Sequence, residues 1–167
     1  EGNNVLTLKI FRWSTGSYLE CQDFWRISGI ERDVFLYSQP KASVQDFRIV
    51  STLDDSYRNG IFRLDMELKN HRTNTAGLSI GYELLDNNGK VVANGEEAVD
   101  VLAGKEGTVS FSKELPEVKT WTSEAPNLYK LLMTVKENGK VTEVIPYHVG
   151  FRRIEIKEID QKGTNGK

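Results

Sequence analysis

An all-β fold, an antiparallel β-sandwich of the immunoglobulin type, is the fold class that this sequence predicts, on three observations. Apolar and polar residues alternate with a period of two over much of the 167 residues. Two of the Asn-Gly dipeptides, at residues 88–89 and 138–139, tolerate positive φ, separate such stretches and favour tight hairpins. No stretch of ten or more residues combines helical spacing of apolar residues with capping residues. Roughly seven short strands after residue 40 are typical of a Greek-key sandwich.

The clearest strand runs from Phe62 to Leu68, where four apolar residues are separated by three charged ones. Because successive side chains of a strand point to opposite faces, we expect the four apolar residues to be buried together. Leu78–Leu84 has the same pattern. Further strands are expected, in chain order, at Leu6–Phe11, Asp33–Tyr37, Val44–Ser51, Val91–Asn94, Thr108–Ser112, Tyr129–Lys136 and Val141–Phe151. The two hairpin turns are expected at Asn87–Lys90 and Glu137–Lys140.

A change in composition near Ser38 to Lys41 predicts a domain boundary. Residues 1–38 are irregular and rich in aromatic and charged side chains. Those that stand out are Arg12, Trp13, Tyr18, Glu20, Asp23, Phe24, Trp25 and Arg26. We expect the sandwich to occupy residues 39–156 and the polar, glycine-rich residues 157–167 to form a linker. Because the chain begins inside a strand-like pattern, we interpret it as an internal piece of a longer protein.

The composition argues against several kinds of partner. The formal net charge is −2 and no basic stripe is present, so nucleic acid is not expected to bind. The apolar runs are too short to cross a membrane. Cys21 is the single cysteine, which rules out an internal disulfide. His71 and His148 are far apart and lack neighbouring cysteines or clustered aspartates, so a zinc site is not expected.

Two stretches resemble the long bacterial β-galactosidases of glycoside hydrolase family 2. The first, Arg12–Val34, reads RWSTGSYLECQDFWRISGIERDV and resembles the end of the family's jelly-roll, sugar-binding domain. The second joins WTSEAPNLY at Trp121–Tyr129 to VGFR at Val149–Arg152 and resembles the last strands of the family's immunoglobulin-like domain. The second motif is shared with β-glucuronidases and β-mannosidases, whereas the first favours β-galactosidase. The resemblance reaches about Ile156, and residues 40–118 match only in pattern.

The resemblance implies that the parent protein is a retaining enzyme that hydrolyses terminal β-D-galactosides. Such enzymes use two carboxylic acids about 5–5.5 Å apart, one as acid/base and one as nucleophile. In the family both are glutamates of a catalytic barrel that would follow Lys167, so this chain alone is expected to be inactive. Its sandwich is expected to position the sugar-binding domain against that barrel. The implied partners are the galactoside, the barrel, the rest of the jelly roll and further copies in a homo-oligomer, in the cytoplasm or the periplasm of a bacterium.

Asp23, in the motif Gln-Asp-Phe-Trp-Arg, is the candidate binding residue. In the enzymes that the chain resembles, this aspartate ligates a sodium ion and hydrogen-bonds the 6-hydroxyl of galactose. A carboxylate suits both tasks because its oxygens can accept from a hydroxyl and bind a cation. The alternative is a structural ion pair with Arg26 or Arg12. Sodium, and also magnesium, are the metals that the resemblance implies for the parent, and none is expected in this piece alone.

The other conspicuous residues are given structural interpretations. Glu20 is expected to be structural or to lie at a subunit contact, and Cys21 stands where family members often carry aspartate. Trp13 and Trp25 are expected to pack in a core or a domain interface rather than to stack on sugar. Packing is also the interpretation for Trp121, Pro126, Leu128 and Tyr129, with the Tyr129 hydroxyl as a tie of the tyrosine-corner kind.

A second function class fits the same fold. Because β-sandwiches host many functions, a stand-alone fibronectin-like module for carbohydrate binding or adhesion is the alternative. The domains that precede and follow this chain in the parent protein would discriminate between the two function classes. A galactosidase parent predicts further jelly-roll strands before this chain and a barrel after it, whereas an adhesion protein predicts more sandwiches.

Overall fold

A computed structural model describes residues 4–19 and 29–156 and divides the chain into two compact units, residues 1–38 and 39–167. The described part of the first unit contains one short helix, α1 (Gly16–Leu19). Its start is held by Ser14, whose N–H donates to the Ser17 hydroxyl at 3.1 Å. No helix among the described residues is long and apolar enough to cross a bilayer.

Two strands predicted in the first unit are absent from its described part. Leu6–Phe11 and Asp33–Tyr37 are not assigned to strands and pair with no strand among the described residues, and their side chains are exposed, Phe35 by 76% and Leu36 by 90%. Alternation of apolar residues reports which faces a segment would present, but a strand forms only when a second strand takes up its backbone hydrogen bonds. The prediction of these two strands is therefore wrong for the chain as described.

The described part of the second unit, residues 39–156, contains seven antiparallel strands in two sheets. The strands are β1 (Ala42–Leu53), β2 (Gly60–Asn70), β3 (Ala76–Leu85), β4 (Val91–Val101), β5 (Glu106–Leu115), β6 (Tyr129–Glu137) and β7 (Lys140–Val149). One sheet has the order β1-β2-β5 and the other β4-β3-β6-β7, with β5 returning to pair with β2. The all-β sandwich predicted for the chain is confirmed.

The core lies between the sheets and follows the alternation in the sequence. Phe62, Leu64, Met66 and Leu68 of β2 are all fully buried, as the pattern predicts. Across the core the Tyr82 ring of β3 lies 5.4 Å from that of Phe62, centroid to centroid. These apolar side chains would be exposed to water in the unfolded chain, so their burial is the main stabilising contribution.

Both predicted hairpin turns are present. Asn138 and Gly139, between β6 and β7, have φ values of 50° and 74°, the left-handed conformation that a two-residue hairpin turn requires. Between β3 and β4 the Asp86 carboxylate accepts from the N–H groups of Asn88 and Lys90, and Gly89 has a φ of 78°. The turn residues therefore fix the register of both hairpins.

Two polar residues, Ser43 and Asn70, are buried among the described residues. Asn70 is fully buried, and its amide nitrogen donates to the carbonyls of Asn74, Val101 and Leu102 at 2.8 to 3.3 Å. Its oxygen accepts from the N–H of Arg72 at 3.0 Å. Because all these groups are satisfied, Asn70 joins the β2–β3 loop to the β4–β5 turn without a desolvation penalty.

Candidate functional site

The residue expected to bind the sugar, Asp23, lies outside the described residues, and so do Glu20, Cys21, Trp25 and Arg26. The roles given to them above remain predictions. Near this segment the Arg12 guanidinium lies 5.7 Å from the centre of the Trp13 ring, and Tyr18 stacks on the same ring at 6.5 Å. Trp13 is half exposed, at 49%.

The family motif around Trp121 forms one end of the sandwich. The Trp121 N–H donates to the Phe151 carbonyl at 2.8 Å, and a Cβ on Gly150 would lie 3.1 Å from the Trp121 side chain, a tight contact. The Arg152 guanidinium lies 5.0 Å from the centre of the same ring. With these contacts the indole serves packing, in agreement with the structural interpretation of Trp121. Pro126 and Leu128 of the same motif are exposed, Leu128 by 39%, so packing in the core is not borne out for them.

Tyr129 makes the tie expected from the sequence. Its ring is buried edge-on against Phe151 at 5.2 Å, and its hydroxyl accepts from the N–H of Lys119 at 2.9 Å. The Asn127 amide donates to the Thr120 carbonyl at 2.9 Å within the same loop. The long connection between β5 and β6 is thus held by side chains from its own C-terminal end.

A further contact set at this end of the sandwich was not predicted from the sequence. Arg153, just after the VGFR motif, pairs with Asp55 at 2.7 Å and with Glu155, and it lies 5.3 Å from the centre of the Tyr57 ring. The Tyr57 hydroxyl donates to Glu155 at 3.0 Å. Asp55 and Tyr57 lie almost 100 positions before Arg153 and Glu155 in the chain, so no local pattern could have indicated these contacts.

Several carboxyl groups of the described residues have a pKa below the ordinary value. Wherever their pKa is displaced, it is lowered: by Ser56 and Asn59 for Asp54, by Arg63 for Asp65, by Arg72 for Glu137 and by Ser79 and Lys136 for Glu96. A glycosidase acid needs the opposite, a carboxyl group that stays protonated near neutral pH. Asp54, Asp65, Glu96 and Glu137 therefore lack the raised pKa of such an acid.

The Asp54 carboxylate is expected to make the unfolding free energy depend on pH. Its carboxylate accepts from the Ser56 hydroxyl, the N–H groups of Arg58 and Asn59 and the Asn59 amide, which lowers its pKa from 3.8 to about 2. A lowered pKa stabilises the fold above pH 3.8, and this contribution is lost as the pH falls toward 2. Asp54→Asn should therefore flatten the decline in unfolding free energy between pH 4 and 2.

Urea titrations at several pH values would measure this effect. Asp100→Asn, an exposed change of the same chemistry on β4, is the control and should keep the wild-type slope. Identical slopes for wild type and Asp54→Asn would show that the Asp54 carboxylate contributes nothing to stability.

Among the described residues, no group of three or more His, Cys, Asp or Glu side chains lies close enough to hold a metal ion. His71 and His148 are both exposed. A sodium ion is normally surrounded by several oxygen ligands, and Asp23 is one carboxylate.

Two family models match the chain. Residues 1–40 match the sugar-binding domain of the glycosyl hydrolases family 2, and residues 42–152 match the domain described as glycosyl hydrolases family 2. The chain is 42% identical to a β-galactosidase of Halalkalibacterium halodurans over 99% of this chain and 17% of the relative. It is 41% identical to one of Streptococcus thermophilus over 95% of this chain and 15% of the relative.

Solved structures share the fold. A β-glucuronidase of Bacteroides uniformis superposes with a TM-score of 0.71 at 19% identity, over 78% of this chain and 17% of that one. A putative β-galactosidase of Bacteroides fragilis gives 0.65 at 19% identity, over 71% of this chain and 19% of that one. The chain spans only 15% to 17% of the length of the two β-galactosidases named above. With a family model over most of its length and such relatives, the chain belongs to glycoside hydrolase family 2, as a piece homologous to its β-galactosidases.

Proposed function

We propose that this chain is the non-catalytic part of a retaining β-galactosidase in which the end of the sugar-binding domain meets the immunoglobulin-like sandwich. The observation that carries the proposal is the identity of 42% and 41% to β-galactosidases along 99% and 95% of the chain. The parent would hydrolyse terminal β-D-galactosides with two glutamates of a barrel outside this chain.

The proposed domain arrangement assigns residues 1–38 to the sugar-binding domain, 39–156 to the sandwich and 157–167 to a linker toward the barrel. The division into compact units between Ser38 and Gln39 supports the first boundary. In the parent the sandwich would hold the sugar-binding domain against the barrel. Such positioning matters because a misplacement of about 1 Å in a binding group can cost about 100-fold in rate.

Asp23 is the proposed contribution of this chain to substrate binding. Its carboxylate would accept the 6-hydroxyl of the galactoside and supply one oxygen ligand to a sodium ion, whose other ligands would come from the rest of the parent. Sodium would add positive charge beside the sugar hydroxyl. The homo-oligomeric state and a role for magnesium are likewise proposals for the parent.

The proposal is tested by assaying the chain and the full-length protein side by side with a chromogenic β-galactoside. We expect the full-length protein to turn over the substrate and the chain alone to show none. Turnover by the purified chain that disappears when one of its own residues is mutated would refute the non-catalytic role. A full-length protein without β-galactosidase activity, whose isolated chain binds glycans, would instead favour the adhesion module.

A further inference from the structure

The chain leaves the sandwich through a segment that is held on two sides. Phe151, at its start, is fully buried and packs so closely on Gly60 that a Cβ there would lie 2.8 Å from the ring. Beyond it, consecutive arginines contact different neighbours: Arg152 lies over Trp121 and Arg153 lies over Tyr57. The exit segment, defined here as residues 151–155, is therefore fixed to two separate loops of the sandwich.

Arg153 makes the larger share of these contacts. Its guanidinium meets the carboxylates of Asp55 and Glu155 and the face of Tyr57, and Tyr57 itself donates to Glu155. Its side chain is 27% exposed, whereas that of Asp55 is 99% exposed. Three partners around one planar cation define its orientation more closely than a single surface ion pair would.

The loop that receives Arg153 is itself rigid. Tyr57 has a φ of 58°, a conformation that is unfavourable for a bulky side chain and needs support from its surroundings. The support comes from Asp54, whose carboxylate accepts from both Arg58 and Asn59. The carbonyl of Arg58 and the amide oxygen of Asn59 in turn accept from the N–H groups of Val118 and Glu117. Tyr57 is thus presented to the exit segment from a fixed position.

We propose that Arg153 is a positioning residue that sets the direction in which the chain leaves the sandwich toward the catalytic domain of the parent. Whether the backbone of the exit segment is ordered can be tested on this chain alone. The effect of that order on catalysis rests on the proposed function. The Arg153 contacts lie at the surface, so they contribute little to global stability and much to local order. Loss of Arg153 should therefore release residues 153–155 of the exit segment, while Phe151 stays buried and the sandwich stays folded.

The first test is ¹⁵N relaxation of this chain. We expect backbone order parameters of residues 153–155 near the rigid value of about 0.85 in wild type and below about 0.6 in Arg153→Met. Arg153→Lys and Tyr57→Phe should lie between, because each keeps part of the contact set. Arg63→Met is the matched control, since it removes an exposed arginine that pairs with Asp65 at 2.9 Å on β2. It should leave the exit segment ordered, and both Met variants should melt within about 4 °C of wild type.

The second test uses the full-length protein. Arg153→Met should lower kcat/KM by tenfold or more, Arg153→Lys by less, and Arg63→Met not at all. The proposal is overturned if Arg153→Met leaves the order parameters unchanged, or if it releases the segment without changing kcat/KM. A wild-type protein that hydrolyses no β-galactoside would sink the proposed function instead, and the relaxation comparison would still decide whether Arg153 orders the exit segment.

Discussion

Leu64→Ala should lower the free energy of unfolding by roughly 2–5 kcal/mol, the usual cost of a large-to-small change in a core. Leu64 is fully buried in the middle of β2, the central strand of its sheet, and is paired with Ile49 of β1 and Phe111 of β5. The change removes apolar contacts with both sheets and leaves a cavity that the surrounding strands can fill only in part. Urea denaturation would show a lower midpoint with the slope unchanged.

Two variants on the outer face of the same strand serve as controls. Glu67→Ala alters an exposed side chain and should change stability by about 0.5 kcal/mol or less. Asp65→Ala removes an acceptor for Arg63 and for the Ser110 hydroxyl and should cost about 1 kcal/mol at most. Because a shift of one residue exchanges the two faces of a strand, equal losses from Leu64→Ala and Glu67→Ala would mean that the register of β2 is wrong.

The sequence predicted the sandwich well because the patterns that indicate its strands and turns each extend over only a few residues. The alternation of β2 and the Asn-Gly turns act within a few residues and survive in the structure. β4 extends to Val101, beyond the predicted Asn94, because β3 offers its residues a hydrogen-bonding partner. There the Glu96 carboxylate also accepts from Ser79 of the neighbouring β3 and from Lys136 of β6, the strand beyond it. Such pairing overrides a weak strand propensity.

What the sequence could not predict depends on distant residues. Asp55 and Arg153 meet across 98 positions, and Glu143 of β7 accepts from the N–H of Val44, 99 positions away, at 3.0 Å. The two strands predicted in residues 1–38 failed for the same reason: their pattern was suitable, but no partner strand lies beside them among the described residues. The candidate binding residue Asp23 came from the family resemblance, because nothing in its local pattern separates a ligand from a structural ion pair.

Asp23→Asn in the full-length protein should lower kcat/KM at least tenfold and keep the fold. The change is isosteric but removes a formal charge, so the hold on the galactose 6-hydroxyl and on sodium should weaken. A hydrogen bond to a charged group contributes roughly 1.5–3 kcal/mol, which corresponds to a loss of about tenfold or more. If the contact strengthens as the glycosidic bond breaks, kcat/KM falls by more than substrate binding does.

The structural alternative for Asp23 makes the opposite set of predictions. An ion pair with Arg26 or Arg12 would support the fold and would not touch the sugar. Asp23→Asn would then lower the melting temperature and leave the kinetics of each folded molecule near normal. Its response to sodium would match that of the wild type, because no ligand of the ion would have been altered.

The central claim is that this chain serves substrate binding and positioning, while groups outside it break the glycosidic bond. Sodium-dependent kinetics of full-length Asp23→Asn, measured together with its melting temperature, test that claim most directly. We predict a variant that melts like wild type, retains slow turnover, loses at least tenfold in kcat/KM and responds less to sodium. A destabilised variant with near-normal kinetics and a full response to sodium would contradict the account.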